Sequence, residues 1–587
     1  MYLTDFKLFL KALEKSGHVT IFVNTDVDAL CAYHILSYIL KCEHITYSMS
    51  PVVGKADLLA AIAEHSHELK SAVLINCGAT LNLIDDLGID NANVVFYVVD
   101  SQRPMDLDNV FDQHQVQLLI RPDERDELNC PQFADIYQAS SSSESEGEEE
   151  GEEMEEEEGR GGKRARQAAG ESHFLKAARL QRWKERRANL LFDYYADSYS
   201  ASSSAVLMYE VSVVQAKTTV QLLWCAILGL TSQCLDASIN LDRYATEGSL
   251  GKLRQELKRL CKPNAALSKD NVAIELSKDL FLPGYKHWSL LESLEHSPIV
   301  YAAFRLHEVQ GASRLAAFLA HLGLPQAECR QKFSGMSSEL RRELLASVQR
   351  QVNDNPKLEE LVYTAFEGKY AWTHRLSAVD AVCLTAAFLE LGEGKTGELK
   401  ANFKMALESL DLASPALARR GLDLWKGWLE TCRQEVHSAL TARAVRVTPH
   451  FLLYVLPTGT STHQSQFQNP FLLGYFGRFL LRAFCENPRL KRKPHTRPLL
   501  LQVPLASSTQ DENLGTQSDG WCLVLGIPPL ATLKTEERPK SFLPQAFRKA
   551  SEGCEVERWA FFQASIVKVK AAHMGRFMDK LMHLLTS

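Results

Sequence analysis

Three short acidic and amide-bearing stretches hold the residues that could do chemistry. Asn24-Thr25-Asp26-Val27-Asp28-Ala29 follows one apolar run, Asn76-Cys77-Gly78 a second, and Asp100-Ser101-Gln102-Arg103 a third. Asp26 and Asp28 are two positions apart, so an extended segment would point both side chains the same way. With Asp100 they make three carboxylates, enough to hold a divalent cation if they meet. An Asp just after a strand is also a common N-cap, satisfying free backbone N–H groups of the next helix. Metal ligand and helix cap both remain open from the local sequence.

Whether the acids meet depends on the elements that carry them. Apolar, β-branched runs at His18–Val23, Ala72–Ile75, Val94–Val99 and Val116–Ile120 suit parallel strands covered on both faces. Helical stretches at Ala29–Lys41 and Ala56–Lys70 lie between them. This alternation predicts a doubly wound α/β sheet, whose adjacent strand ends converge on one ligand-binding crevice. Residues 140–170 are Ser, Glu, Gly and Arg with almost no apolar content, which predicts a disordered loop. A basic helix containing Trp183 follows, and apolar stretches Ala205–Val214 and Val220–Leu230 complete the first domain. Residues 250–444 read as helical. Leu340, Leu344, Val348 and Val352 share one face, Leu315, Phe318, Leu319 and Leu322 another, and Leu422, Trp425, Trp428 and Leu429 a third. The last stretch, 445–587, returns to α/β, with strands expected at Phe451–Leu456, Leu499–Val503, Cys522–Leu525 and Ala564–Val569, and helices near Pro470–Cys485 and Ala571–Leu585. The expected boundaries are therefore 1–139, 140–170, 171–249, 250–444 and 445–587.

Composition narrows the class. No run approaches ~18 apolar residues, the length of a membrane-spanning helix. The amino-terminal MYLTDFKLFLKALEKSGH mixes charge into its apolar residues and does not read as a signal peptide. Thirteen cysteines are dispersed without a Cys-x-x-Cys pair, which predicts reduced thiols rather than a zinc site. The net charge of −7 is uneven: eleven glutamates fall between Glu144 and Glu158, leaving +4 for the remainder. Arg160 to Leu190 holds ten Lys and Arg against Glu171 and Glu185. Lys163, Arg164 and Arg166 form a candidate nuclear-import run, or a merely solvated one. Lys176, Arg179, Arg182 and Arg186, at helical spacing, either touch phosphates or face the glutamate tract. Lys491, Arg492 and Lys493 are candidate phosphate contacts without the interleaved aromatics that base stacking requires. Ser141, Ser143 and Ser145 each precede a glutamate by three positions, the spacing of an acid-directed kinase site.

The order of the three acidic stretches resembles the DHH phosphoesterase superfamily, which includes the RecJ exonucleases. Those enzymes hold two manganese ions with His-x-Asp-x-Asp, a strand-terminal Asp, and Asp-His-His. Asp26, Asp28 and Asp100 match that pattern. Asn24 stands for the first His, Asn76 for the second-motif Asp, and Ser101 and Gln102 for the two later His. The fourth-motif Asp has no counterpart in Gly229-Leu230-Thr231-Ser232. Neutral amides and a hydroxyl are weak ligands for a manganese pair, so Asp26, Asp28 and Asp100 are read as vestigial, with no metal and no cofactor.

Over the whole chain the pattern is similar to that of the cell division control protein 45 family, disabled RecJ-like subunits of the eukaryotic replicative helicase. Further stretches that carry the likeness are Leu191-Phe192-Asp193-Tyr194, Trp224 to Thr231, His287-Trp288-Ser289-Leu290, Gly323-Leu324-Pro325 and Gly526-Ile527-Pro528-Pro529. The resemblance implies a RecJ-like DHH domain, a helical insertion and a C-terminal DHHA1-like α/β domain, the last without its Gly-Gly-His signature. It implies a nuclear, non-enzymatic scaffold and activator in chromosomal DNA replication. Such a scaffold joins the MCM helicase ring and the GINS complex, binds single-stranded DNA weakly, and meets replication initiation factors and the leading-strand polymerase. The competing expectation is an active, manganese-dependent single-strand exonuclease using Asp26, Asp28 and Asp100.

Overall fold

A computed structural model describes residues 1–66, 69–87, 94–137, 180–240, 244, 248–261, 272–371, 374–392, 399–457, 464–486, 494–505, 520–536 and 538–586. Two compact units are present: Met1–Ile120 with Ser198–Ser587, and Arg121–Asp197. Ser141, Ser143, Ser145, Lys163, Arg164, Arg166, Lys176, Arg179, Lys491, Arg492 and Lys493 lie outside the described residues, as does the expected disorder of 140–170.

The larger unit opens with six parallel strands. Their order is Tyr2–Leu3, Val116–Leu119, Val95–Val99, Ser71–Ile75, His18–Asn24 and Thr46–Val52. From His18–Asn24 the chain first adds Thr46–Val52 on one side, then Ser71–Ile75 on the other. The topological switch point therefore lies between the strands that end at Asn24 and Ile75, where α/β sheets place their ligands. Register fixes the neighbours: Val23 pairs with Ile75, and Ile75 with Val99. Helices Val27–Cys42, Ser204–Val214 and Val220–Leu235 pack on one another. Each is apolar nearly all round, because each is enclosed on every side rather than laid on a surface.

Between residues 250 and 444 the structure departs from a purely helical reading. Val272–Leu280, Val362–Tyr370 and His374–Ser377 form an antiparallel sheet of three strands. The sequence VAIELSKDL alternates apolar and polar residues like a half-buried strand, but its charges masked the signal. The expected helical faces are present in Gly311–His321, Ser338–Asp354 and Pro415–Thr441, with Leu315, Phe318, Leu319, Leu344, Val348, Trp425 and Trp428 buried. The final stretch carries a mixed sheet ordered Arg446–Val447, Leu452–Val455, Leu499–Pro504, Trp521–Ile527, Ile566–Lys570 and Val556–Glu557. Helix Pro470–Cys485 packs on it. One continuous apolar core runs from Leu3 to Ile566 and takes in both six-stranded sheets and helix Pro415–Thr441, while Leu315, Phe318, Leu319, Leu344 and Val348 form a separate cluster within the insertion.

In the smaller unit, residues 180–194 are helical and contain Trp183. The Arg187 guanidinium lies 5.8 Å from the Trp183 ring centroid, and Arg187 Nε donates to Ile136 O at 3.0 Å. Arg186 pairs with Asp135 at 3.2 Å.

Candidate functional site

The first stretch folds as a strand end running into a helix. Asp26 is the N-cap of Val27–Cys42, its Oδ1 accepting from Ala29 N at 2.7 Å. Asn24 Nδ2 donates to Asp26 Oδ2 at 2.7 Å, and Asn24 Oδ1 accepts from Thr25 N at 2.9 Å. Asp28, in the first turn, faces the opposite helix. It accepts from Ser203 Oγ at 2.5 Å, Ser204 N at 2.9 Å and Ala205 N at 3.0 Å. Ser203 Oγ in turn accepts from Val206 N at 3.3 Å, so Asp28 and Ser203 together cap helix Ser204–Val214. Helix Val220–Leu235 meets this corner at Gly229. A Cβ there would stand 2.5 Å from Asp28 Oδ1 and 2.7 Å from Ser203 Oγ, so only glycine fits.

Asn76 joins the two acids. Its backbone sits at φ 53°, a left-handed conformation that asparagine tolerates. Its Nδ2 donates to Asp26 Oδ1 at 3.2 Å, to Asp26 Oδ2 at 3.3 Å and to Asp28 Oδ2 at 3.4 Å. Its Oδ1 accepts from Ser204 Oγ at 2.6 Å and Ser101 N at 3.3 Å, which fixes the N–H end toward the acids.

Asp100 departs from the expected convergence. It is not among the crevice-lining residues. Its Oδ2 accepts from Gly78 N at 3.2 Å and Ala79 N at 3.0 Å, and its Oδ1 from Gln102 N at 2.9 Å. The turn after strand Ser71–Ile75 therefore closes on this carboxylate as a backbone anchor.

Two other acids take its place in the crevice, both distant in sequence: Asp236 and Glu390. Asp236 follows helix Val220–Leu235 and pairs with Arg478 at 3.5 Å. Glu390 ends helix Ala378–Glu390, and its oxygens accept from Phe471 N and Leu472 N, each at 2.9 Å, at the start of Pro470–Cys485. Phe561, Phe562 and Gln563 also line the crevice. No motif marked these residues; only the shared requirement of helix starts for an acceptor could have suggested Glu390.

Burial dominates the electrostatics. It pushes the Asp26 carboxyl up to about 8, with the nearby Asp28 adding to the rise and the Ala29 N–H opposing it. Burial likewise raises Asp28 against the bonds from Ser203, Ala205 and Ser204, and raises Asp100 against the Gln102 and Ala79 amides. Asp236 is raised to about 6 by burial, with Arg478 opposing. Glu390 reaches about 8 through burial, opposed by the Leu472 and Phe471 amides.

These residues do not fit a manganese pair. An amide N–H occupies the position between Asp26 and Asp28, and Asp28 and Asp100 already serve backbone N–H groups. Among the described residues, no three His, Cys, Asp or Glu are placed to hold a metal ion. The crevice itself encloses about 110 Å³, well below the ~300 Å³ at which ligand pockets begin.

Comparison with known proteins places this geometry in a lineage. The family model described as CDC45 matches residues 19–162 and 134–584. The chain is 33% identical over 595 residues to cell division control protein 45 homolog of Mus musculus, covering 100% of both chains. It is 32% identical over 591 residues to the Homo sapiens homolog, again over 100% of both. A crystal structure of CDC45 from Entamoeba histolytica superposes with a TM-score of 0.67 over 100% of both chains at 15% identity, a likeness of fold. The chain belongs to the CDC45 family.

Proposed function

We propose that this chain is a non-catalytic subunit of the replicative DNA helicase. It joins the MCM ring to the GINS complex in the nucleus, supports initiation and elongation of DNA replication, and binds single-stranded DNA weakly. Family membership supports the replication role. The observation that carries the non-catalytic reading is the commitment of the acids to structure. Asp28 caps a second helix, Asp100 anchors a turn, and Asn76 fills the space between Asp26 and Asp28. A water-activating metal pair needs two ions held ~3.5–4 Å apart with open coordination positions, and this crevice supplies amide N–H groups instead.

Within this reading, 1–139 and 171–249 are the two parts of the DHH-like domain, 250–444 the partner-docking insertion, and 445–587 the DHHA1-like domain. Lys163, Arg164 and Arg166 serve nuclear import, and Lys491, Arg492 and Lys493 contact phosphates. Ser141, Ser143 and Ser145 are phosphorylated by an acid-directed kinase. Mass spectrometry of the chain from dividing cells should find these serines modified.

Reconstitution with purified MCM and GINS tests the central claim. All three should co-elute, and forked DNA should unwind only when all are present. The claim fails if the chain co-elutes with neither partner. It also fails if the chain alone, given manganese, degrades labelled single-stranded DNA and Asp26→Ala abolishes that cleavage.

A further inference from the structure

Arg478, the partner of crevice residue Asp236, also lines a second cavity of about 740 Å³, a size that accommodates a large side chain or a small organic group. Aromatic rings form much of its wall. Phe281 and Tyr363 stand edge to face at 5.1 Å, and Trp425 and Tyr475 at 5.3 Å. Trp425 is wholly buried, yet its indole N–H has no acceptor among the described residues, although buried indoles normally find one. Four cations line the cavity, Lys278, Arg478, Arg482 and Lys534, against the two carboxylates Glu359 and Glu360.

The cations come from three separate elements: strand Val272–Leu280, helix Pro470–Cys485 and helix Leu530–Thr535. Arg478 is held by Asp236, and Lys278 and Lys534 lie at exposed positions on two of these elements. Arg482 and Lys534 already hold one carboxylate, Glu360, at 2.7 and 3.4 Å. No glycine is among the described residues that line the cavity, so these residues supply no glycine-rich backbone cradle of the kind that receives phosphates. Lys278 and the exposed Lys534, on different elements, can meet carboxylates on either side of one anchor, and the aromatic wall matches that large apolar anchor.

We propose that this cavity docks an acidic peptide segment of a partner protein through one inserted aromatic side chain. Aspartates or glutamates beside the anchor meet Lys278 and Lys534, and the anchor ring packs among Phe281, Tyr363 and Tyr475.

Fluorescence anisotropy of the full chain with a labelled peptide, one tryptophan flanked on both sides by aspartates, tests this. Binding should saturate. The double variant Lys278→Glu/Lys534→Glu, changed at exposed positions, should weaken it about tenfold. Leu533→Trp, which places a ring in the cavity where the anchor would pack while leaving its charges, should weaken it as well. A peptide with asparagines for aspartates should bind much more weakly, and adenosine monophosphate should not compete. Circular dichroism and the urea midpoint verify that both variants are folded. The proposal is overturned by absence of saturable binding, by unchanged affinity in either folded variant, by equal affinity for the neutral peptide, or by competition from the nucleotide.

Discussion

An asparagine side chain has a donor end and an acceptor end, and at position 76 the surroundings dictate which way each points. Ser204 Oγ and Ser101 N take the oxygen, so the nitrogen must face Asp26 and Asp28. Asn76→Asp would keep the shape and the permitted backbone while replacing that donor with a third acid. In buffer containing a chelator the variant should lose about 1–3 kcal/mol, the cost of leaving buried polar groups without their donor. Millimolar manganese should restore part of the loss, because a cation would then substitute for the missing N–H. Thermal unfolding with and without the ion reads both effects, and an unaltered midpoint in chelator would refute the role given to Asn76. Asp26 yields a second prediction. Its carboxyl ionises near 3.8 when unfolded and near 8 when folded. Between those values the folded chain holds a proton that the unfolded chain has lost, so stability falls as pH rises and levels off above 8. Asp236 and Glu390, raised to about 6 and about 8, act in the same direction. Urea midpoints should therefore be higher at pH 6 than at pH 8.5. Asp26→Ser, which retains a capping oxygen but no titrating group, should flatten that slope.

At the scale of elements, the crevice is a meeting of helix starts. Asp26, Asp28 with Ser203, and Glu390 each supply acceptors to a different helix. Removing one should loosen the element it caps rather than a reaction. Glu390→Ala leaves the Phe471 and Leu472 N–H groups without their acceptor, at a loss of about 1–3 kcal/mol. Hydrogen exchange should quicken at the start of Pro470–Cys485; exchange unchanged there would exclude the capping role. Much of this frame was legible beforehand. The continuous runs at His18, Ala72, Val94 and Val116 correspond to strands within a residue or so of each expected end. Thr46–Val52 was not legible, because TYSMSPV is an edge strand with polar residues and a proline. Helices Ser204–Val214 and Val220–Leu235 showed as apolar runs, which alone do not distinguish helix from strand. At the site, strand ends brought Asp26, Asp28 and Asn76 together as their order suggested. That Asp100 would turn to backbone amides depended on how the Gly78 turn closes, and Asp236 and Glu390 reach the crevice only through tertiary packing.

At the scale of the whole molecule, helix Ala378–Glu390 decides how cooperative the larger unit is. It is buried on nearly every face and packs against Val27–Cys42, Val220–Leu235, Pro415–Thr441 and Pro470–Cys485. It thus joins the amino-terminal sheet, the insertion and the carboxy-terminal sheet in one core. Phe388 is fully buried in it, its ring so close to Gly421 that a Cβ there would stand 2.7 Å from the ring edge. Phe388→Ala would open a cavity costing about 3–5 kcal/mol. If the parts were independent, only the neighbourhood of 388 would respond. A shared core instead predicts that protection of the amides in His18–Asn24 and in Leu499–Pro504 falls by a similar factor, although neither strand contains a substituted residue. Native-state hydrogen exchange on the wild type and Phe388→Ala measures both strands in one experiment. Loss of protection in one strand with the other unchanged would mean that the sheets unfold separately, and the insertion would then be a passenger on the core rather than its keystone.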